Sequence, residues 1–467
     1  MPLTRRSLLG SAAGGALTAG GVYALVDRLT RSPKRVTGSE LSPEQHLLQG
    51  MRIVEDNSVE VVVPPLHHQV VTAKVSVGAG KRSLVDAQEA LEDAIRKIER
   101  RFAPTPAGLG ITVAWGLPYF RRFVPKLAEE HIPIDRRATK TRQNPVRVLL
   151  DARRFPSDPA DTILEANDVA VLLRSDLLDN IGAGAKALFE DLDLFVVTSI
   201  RKGFAGGGFD GDQSLPKRMA VAARVPGASL IPDHSELFLG FTSTQKAGLG
   251  PPKIANLEEL GFSAGGYFAQ GTHLALSHIT EDLEAWYLNF PHEERVATVF
   301  RPGLKIGESV LTVAQGPNDV VNVARVHRDF RRTKQLGHSA GLQTVSRLST
   351  TAVGASGAVY APGIAIPHRA DFNTLDNPFF WSADPTHDKM NDTPAAGVHF
   401  VVFNPSSDDF NRARLAMDGV LPDGTKLPFG LHDRGQGFNS ILQTTHRQNF
   451  LVPPRRHRSF PLVEMLG

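Results

Sequence analysis

From residue 59 onward the chain runs twice through one order of elements, and this repetition restricts the fold more than any other feature. In the first pass, residues 69–77 alternate like a half-buried strand. Residues 83–102 have helical spacing: Leu84, Leu91, Ile95 and Ile98 share a face, and Ser83 with Asp86 resembles a capping box. Strands at 110–115 and 168–173, a helix over 180–190 and a strand at 194–200 complete the pass. The second pass reads strand 267–277, helix 281–289 capped by Thr280, a short strand at 364–367, strand 398–403, helix 406–417 and a closing strand at 449–452. Each pass is the split βαβ, or ferredoxin-like, pattern. The expected fold class is therefore α+β. Two ferredoxin-like (βαββαβ) halves, residues 59–235 and 236–467, form a dimeric α+β barrel-like core. Residues 125–165 and 291–362 read as excursions from this frame.

The absence of cysteine excludes disulfides, iron–sulfur clusters and a thiolate haem ligand. A formal charge of +3 over 467 residues, with basic and acidic side chains interspersed, gives no nucleic-acid footprint. At the start, Thr4-Arg5-Arg6-Ser7-Leu8-Leu9-Gly10 precedes a stretch of almost pure Ala, Gly, Leu and Val ending near Leu25. A paired arginine before a modest apolar run is the twin-arginine export pattern. The run is weaker than the ~20 strongly apolar residues a membrane span needs. Residues 1–58 are accordingly expected to be an export signal and linker outside the fold. The twin-arginine translocase would carry the folded chain to an extracytoplasmic location, whether periplasmic, secreted or membrane-anchored.

Several stretches, taken in order, resemble the dye-decolourising (DyP-type) haem peroxidase superfamily. They begin at Pro64-Pro65-Leu66-His67-His68 and continue through residues 110–120, 168–173 and 196–204. The nearest likeness lies at 266–276, followed by Asp282-Leu283-Glu284-Ala285-Trp286. Residues 397–403 and Phe450-Leu451-Val452-Pro453-Pro454 complete the set. Order and spacing, rather than any single stretch, carry the resemblance. It implies two ferredoxin-like halves with haem b, and so iron, held by the second. It also implies oxidation of an organic reductant by hydrogen peroxide, with a homo-oligomeric state left open.

Peroxide activation at haem needs an imidazole on the iron, a group that moves a proton between the peroxide oxygens, and a cation for the leaving hydroxide. By resemblance, the iron ligand lies between the second-half helix and the strand at 364, a window offering His327 and His338. His338, in Leu336-Gly337-His338-Ser339-Ala340-Gly341, matches the family's ligand setting better than His327, which sits in a charged run. Arg369, after Ile364-Ala365-Ile366-Pro367-His368, matches the family's distal arginine, and an ion pair with Asp371 is the plainer reading. Its neighbour His368 is a further proton-transfer candidate.

The family's distal Asp sits in Gly-x-x-Asp-Gly. Asp210, in Gly207-Gly208-Phe209-Asp210-Gly211, copies the motif literally. The segment from Glu236 through Gly240-Phe241 to Ser243 matches its position better and puts Ser243 where the acid belongs. Loss of that acid supports an alternative function, an extracytoplasmic haem carrier or sensor with little peroxidase activity. A haem-free binding module is a third reading. Asp384, His387, Asp388 and Asp392 read as a solvated loop, and Arg455 to Arg458 as a basic solvated tail. Trp115, Trp286 and Trp381 are candidates to relay oxidising equivalents, though core packing is the simpler role.

Overall fold

The computed structural model describes residues 41–56, 59–205, 214–241, 266–308, 321–348, 350–353, 359–362, 365–375, 394–430 and 434–467. Its strands are β1 (Arg52–Asp56), β2 (Val59–Val63), β3 (His67–Val75), β4 (Gly110–Gly116), β5 (Ile163–Leu164), β6 (Val169–Ser175), β7 (Phe195–Phe204), β8 (Thr272–Glu281), β9 (Ala352–Val353), β10 (Val359–Tyr360), β11 (His368–Arg369), β12 (Phe372–Thr374), β13 (Gly397–Asn404) and β14 (Leu442–Val452). The helices used below are α1 (Lys81–Arg101), α2 (Leu178–Ala185), α3 (Leu283–Asn289), α4 (His292–Val299), α5 (Val323–Thr333), α6 (His338–Ser346) and α7 (Ser407–Met417).

The N-terminal half orders its strands β7-β3-β6-β4, and the C-terminal half orders its own β12-β13-β8-β14. Numbered within each half, both read 4-1-3-2 or its reverse, the ferredoxin-like arrangement expected from the sequence. The halves then join at two seams. At one, β12 meets β7 through Asn373 and Phe204. At the other, β14 meets β4 through Phe450–Gly116 and Leu451–Trp115. The eight strands named in these two orders thus form a closed ring, so neither half leaves a free sheet edge at the joins. At the first seam Gly203 is needed, because a Cβ there would lie 2.2 Å from the Asn373 carbonyl oxygen.

Strand alternation divides the side chains between two environments. Val70, Ala114, Leu172, Leu276, Val401 and Phe450 fill the barrel. Opposite them, Val71, Ile111, Val113 and Val171 pack outward against α1, whose Leu84, Ala87, Leu91, Ile95 and Ile98 form a buried stripe. The expected capping box at Ser83 is not used. The helix starts two residues earlier, at Lys81, and Gly80 is the cap residue.

The barrel also holds buried histidines. The His68 ring stacks 5.0 Å from Phe372, and His278 lies 4.9 Å from His399.

The fold extends into the segment set aside as linker. Gln45 is buried and bridges the weakly paired second seam. Its Nε2 donates to the carbonyls of Val113 (3.2 Å) and Pro453 (2.7 Å), and its Oε1 accepts from Val113 N–H at 2.9 Å. Beside it the His46 ring enters the barrel, 4.8 Å from Phe403. A boundary at 58 therefore falls too late, because residues 43–46 complete the barrel and β1 pairs with β2. The polar sequence of this stretch conceals its burial, since the glutamine works as a backbone-like staple. Gln45→Ala is expected to destabilise the protein by about 2–4 kcal/mol in urea unfolding, because it strands buried backbone groups.

The basic run near the C-terminus is likewise not a solvated tail. Arg458 is buried, with Nη2 3.0 Å from Glu92 Oε1 and Nη1 2.7 Å from Glu99 Oε1, both on α1. Trp115 Nε1 donates to the Arg458 carbonyl at 2.8 Å, which draws the tail onto the N-terminal half.

Candidate functional site

The outer face of the C-terminal sheet is not sealed by helices as the N-terminal one is. α6 and α7 cover β8, β13 and β14 but leave a cavity of about 280 Å³. Its floor comes from alternate strand residues: Ser277, Ile279 and Glu281 of β8, and Val398, Phe400 and Val402 of β13. Leu237, Leu239 and Phe241 close one end. Trp286 Nε1 and Tyr287 Oη hold that segment by donating to the carbonyls of Leu239 (2.9 Å) and Phe238 (2.6 Å). Trp286 thus has a structural task, and Trp115 is buried in the N-terminal core.

His338 is the first residue of α6 and lines the cavity. Its position is set by Gly337, where a Cβ would lie 2.3 Å from the Phe300 carbonyl oxygen, so α6 starts hard against the end of α4. The Ala340 N–H donates to that same carbonyl at 2.9 Å. The His338 ring lies 4.8 Å from Phe438, and its Nδ1 is enclosed without a hydrogen-bond partner. Burial, with help from Arg369 and Arg414, pushes its pKa down to about 3. The imidazole is therefore neutral and keeps a lone pair at any physiological pH.

Arg369 faces the same cavity. On β11 it stands opposite Val402, a floor residue, whereas His368 stands opposite Phe403 inside the barrel. Adjacent strand residues point to opposite faces, so His368 does not join Arg369. Its ring packs 5.7 Å from His46 instead. His327 is elsewhere, on α5, with Nε2 2.8 Å from Asp423 at the surface. Asp210, Ser243, Trp381 and the cluster from Asp384 to Asp392 lie outside the described residues, as does the export segment at 1–40. Among the described residues no helix is long and apolar enough to cross a membrane.

The far wall is a charged network without an advance signal in the sequence. Arg447 Nη2 lies 2.8 Å from Asp158 Oδ1, and Arg414 Nη2 donates to Ser157 Oγ at 2.9 Å. Ser157 Oγ in turn donates to Asp418 at 2.6 Å. These partners come from an excursion loop, α7 and β14, so only the folded chain unites them. Two more cavity carboxyls, Glu281 and Asp371, were also missed as site residues. Glu281 reads from sequence as the first turn of a helix capped by Thr280. In the structure both remain in β8, and Asp282 caps α3 by accepting from Ala285 N–H at 2.9 Å.

The family model that matches this chain is that of a family of unknown function (DUF7405), over residues 65–355. No curated protein matches the chain. Among solved structures, it resembles the DyP-type peroxidase from Cellulomonas bogoriensis, at 15% identity over 89% of this chain and 96% of that one, with a TM-score of 0.51. It resembles ferric DtpA from Streptomyces lividans to the same extent, at 14% identity, 89% and 96% coverage and a TM-score of 0.51. At such identities the likeness is one of fold.

Proposed function

The chain belongs to the family of unknown function DUF7405 and has the fold of DyP-type peroxidases; from that premise we propose that it is a haem protein that reduces hydrogen peroxide with an organic reductant. One observation carries this reading: His338 and Arg369, distant in sequence, line one largely apolar cavity on the C-terminal sheet. The residues fit haem. A neutral imidazole lining the cavity is available as an iron ligand, and Phe300, Phe400 and Phe438 supply apolar walls for a flat macrocycle. Arg347, Arg369 and Arg414 supply cations on the same cavity for anionic groups.

Haem, when bound, supplies the redox chemistry. His338 would hold it. Arg369 would bind peroxide and stabilise the hydroxide that leaves it. The apolar segment Leu237–Phe241 would exclude water from that end. Whether Asp210 or Ser243 completes the cavity is part of the same proposal, as is export of the folded chain by the twin-arginine route.

The test is to titrate purified protein with haem and then add peroxide and an organic dye. A Soret band with rapid peroxide-dependent bleaching of the dye supports the peroxidase. A Soret band without turnover supports the carrier or sensor. No Soret band rejects both.

A further inference from the structure

Two carboxyl groups on this cavity have no role in the scheme above. Glu281 is the last residue of β8, and its N–H donates to the Ala396 carbonyl at 2.9 Å, which fixes the strand end and sends the side chain to the cavity face. Its Oε2 is enclosed without a partner. Asp371 reaches the cavity from between Arg369 and Asn373, the three sharing one side by strand alternation. Asn373 Nδ2 donates to the Glu236 carbonyl at 3.2 Å, which ties this strand to the segment that brings Leu237, Leu239 and Phe241 to the same cavity. The other carboxylates on the cavity are already committed. Asp158 pairs with Arg447 at 2.8 Å, and Asp409 with Arg137 at 2.6 Å.

We propose that Glu281 and Asp371 are the proton-handling pair of this cavity, Glu281 as acid and Asp371 as base, with Arg369 beside them to receive negative charge. The inference rests on the peroxidase reading. Burial, then the Asp371 charge, pushes Glu281 up to about 8, so it holds a proton at neutral pH. Burial also raises Asp371, but the Arg369 guanidinium opposes the rise. The cation beside Asp371 favours its charged form, which suits it to the role of base, while Glu281 is suited to that of acid.

Asp371 takes the proton from one peroxide oxygen while Glu281 gives its own to the other, which leaves as water when the O–O bond breaks. Haem, when bound, would supply the two electrons that this cleavage demands of the remaining oxygen. Asp371 then returns its proton to Glu281. An organic hydrogen donor restores the two electrons and gives two protons, which release the remaining oxygen as a second water. Peroxide and donor thus become two waters and the oxidised donor.

Glu281→Gln preserves shape but cannot pass a proton. It is expected to leave haem uptake unchanged while slowing the reaction with peroxide by at least about a hundredfold, with partial recovery in Glu281→Asp. A second readout needs no turnover. Infrared difference spectra of the haem-free protein should show a protonated carboxyl that titrates with a midpoint of about 8 and is missing in Glu281→Gln. A peroxide rate within about threefold of wild type, or a carboxyl band that survives the substitution, overturns the assignment. If the wild type takes up no haem, the peroxidase reading falls and this inference with it. If the wild type is active and Glu281→Gln equally so, only this inference falls.

Discussion

His338→Ala is expected to weaken haem binding by well over about a hundredfold and to remove the Soret band of the purified protein. Even partners that merely orient a metal-bound imidazole are worth about 10- to 100-fold in affinity, and the ligand itself more. The substitution should leave the fold intact, because the side chain borders open cavity at the first turn of α6 and makes no hydrogen bond through Nδ1. Far-ultraviolet circular dichroism of the haem-free variant checks this. His327→Ala is the control. It removes a surface contact to Asp423 and should bind haem like the wild type. An undiminished Soret band in His338→Ala would remove the keystone of the proposed function.

The second large effect is a steep loss of stability in acid. His46, His68 and His399 are driven well below their ordinary pKa by burial, and His273 and His368 down to about 3. In the native state these five imidazoles stay neutral, whereas in the unfolded chain they protonate near pH 6.5. Below that pH the unfolded chain binds more protons, so stability falls as pH falls. Each group contributes up to about 1.4 kcal/mol per pH unit. Five acting together exceed an ordinary folding stability within about two units. Glu281 works in the opposite sense, being protonated in the native state at neutral pH, as do Asp176, Asp371 and Asp409, which burial raises, but His338, also pushed down to about 3, adds a sixth imidazole to the five. Urea midpoints measured from pH 7.5 to 5 should therefore drop sharply. A flat profile would mean that the buried imidazoles are hydrated or paired in solution. Replacing His68, stacked on Phe372, by Gln should flatten the slope by about one proton.

The architecture was legible because its periodicities are strong. The stripe of α1 reports one buried face, β3 and β6 are largely apolar runs buried on both faces, and the repeated order of elements limits how the halves can pair. His338 and Arg369 were chosen by resemblance, and the fold brings both to one cavity. Elsewhere local pattern was silent or misled. A two-residue error at the β8–α3 boundary turned Glu281 from a cavity acid into a helix-start acid, since carboxylates favour helix N-termini as much as they suit a site. The pairing of Arg447 and Arg414 with Asp158 joins segments that share no local signal. His368 was tied to Arg369 by adjacency, the relation that a strand breaks.

The staple at Gln45 bears on how the chain is made. Gln45 binds Pro453 across 408 residues of sequence, and Trp115 meets Arg458 across 343. On a ribosome adding about 5–20 residues per second, the first of these partners waits roughly 20–80 s for the second. From the time it forms until β14 is made, β4 keeps open the edge that β14 will cover, a template for pairing with other chains. Closure cannot precede synthesis of residue 453. A chain that stops short of residue 453 cannot shut the ring, so the edge of β4 that β14 covers stays open.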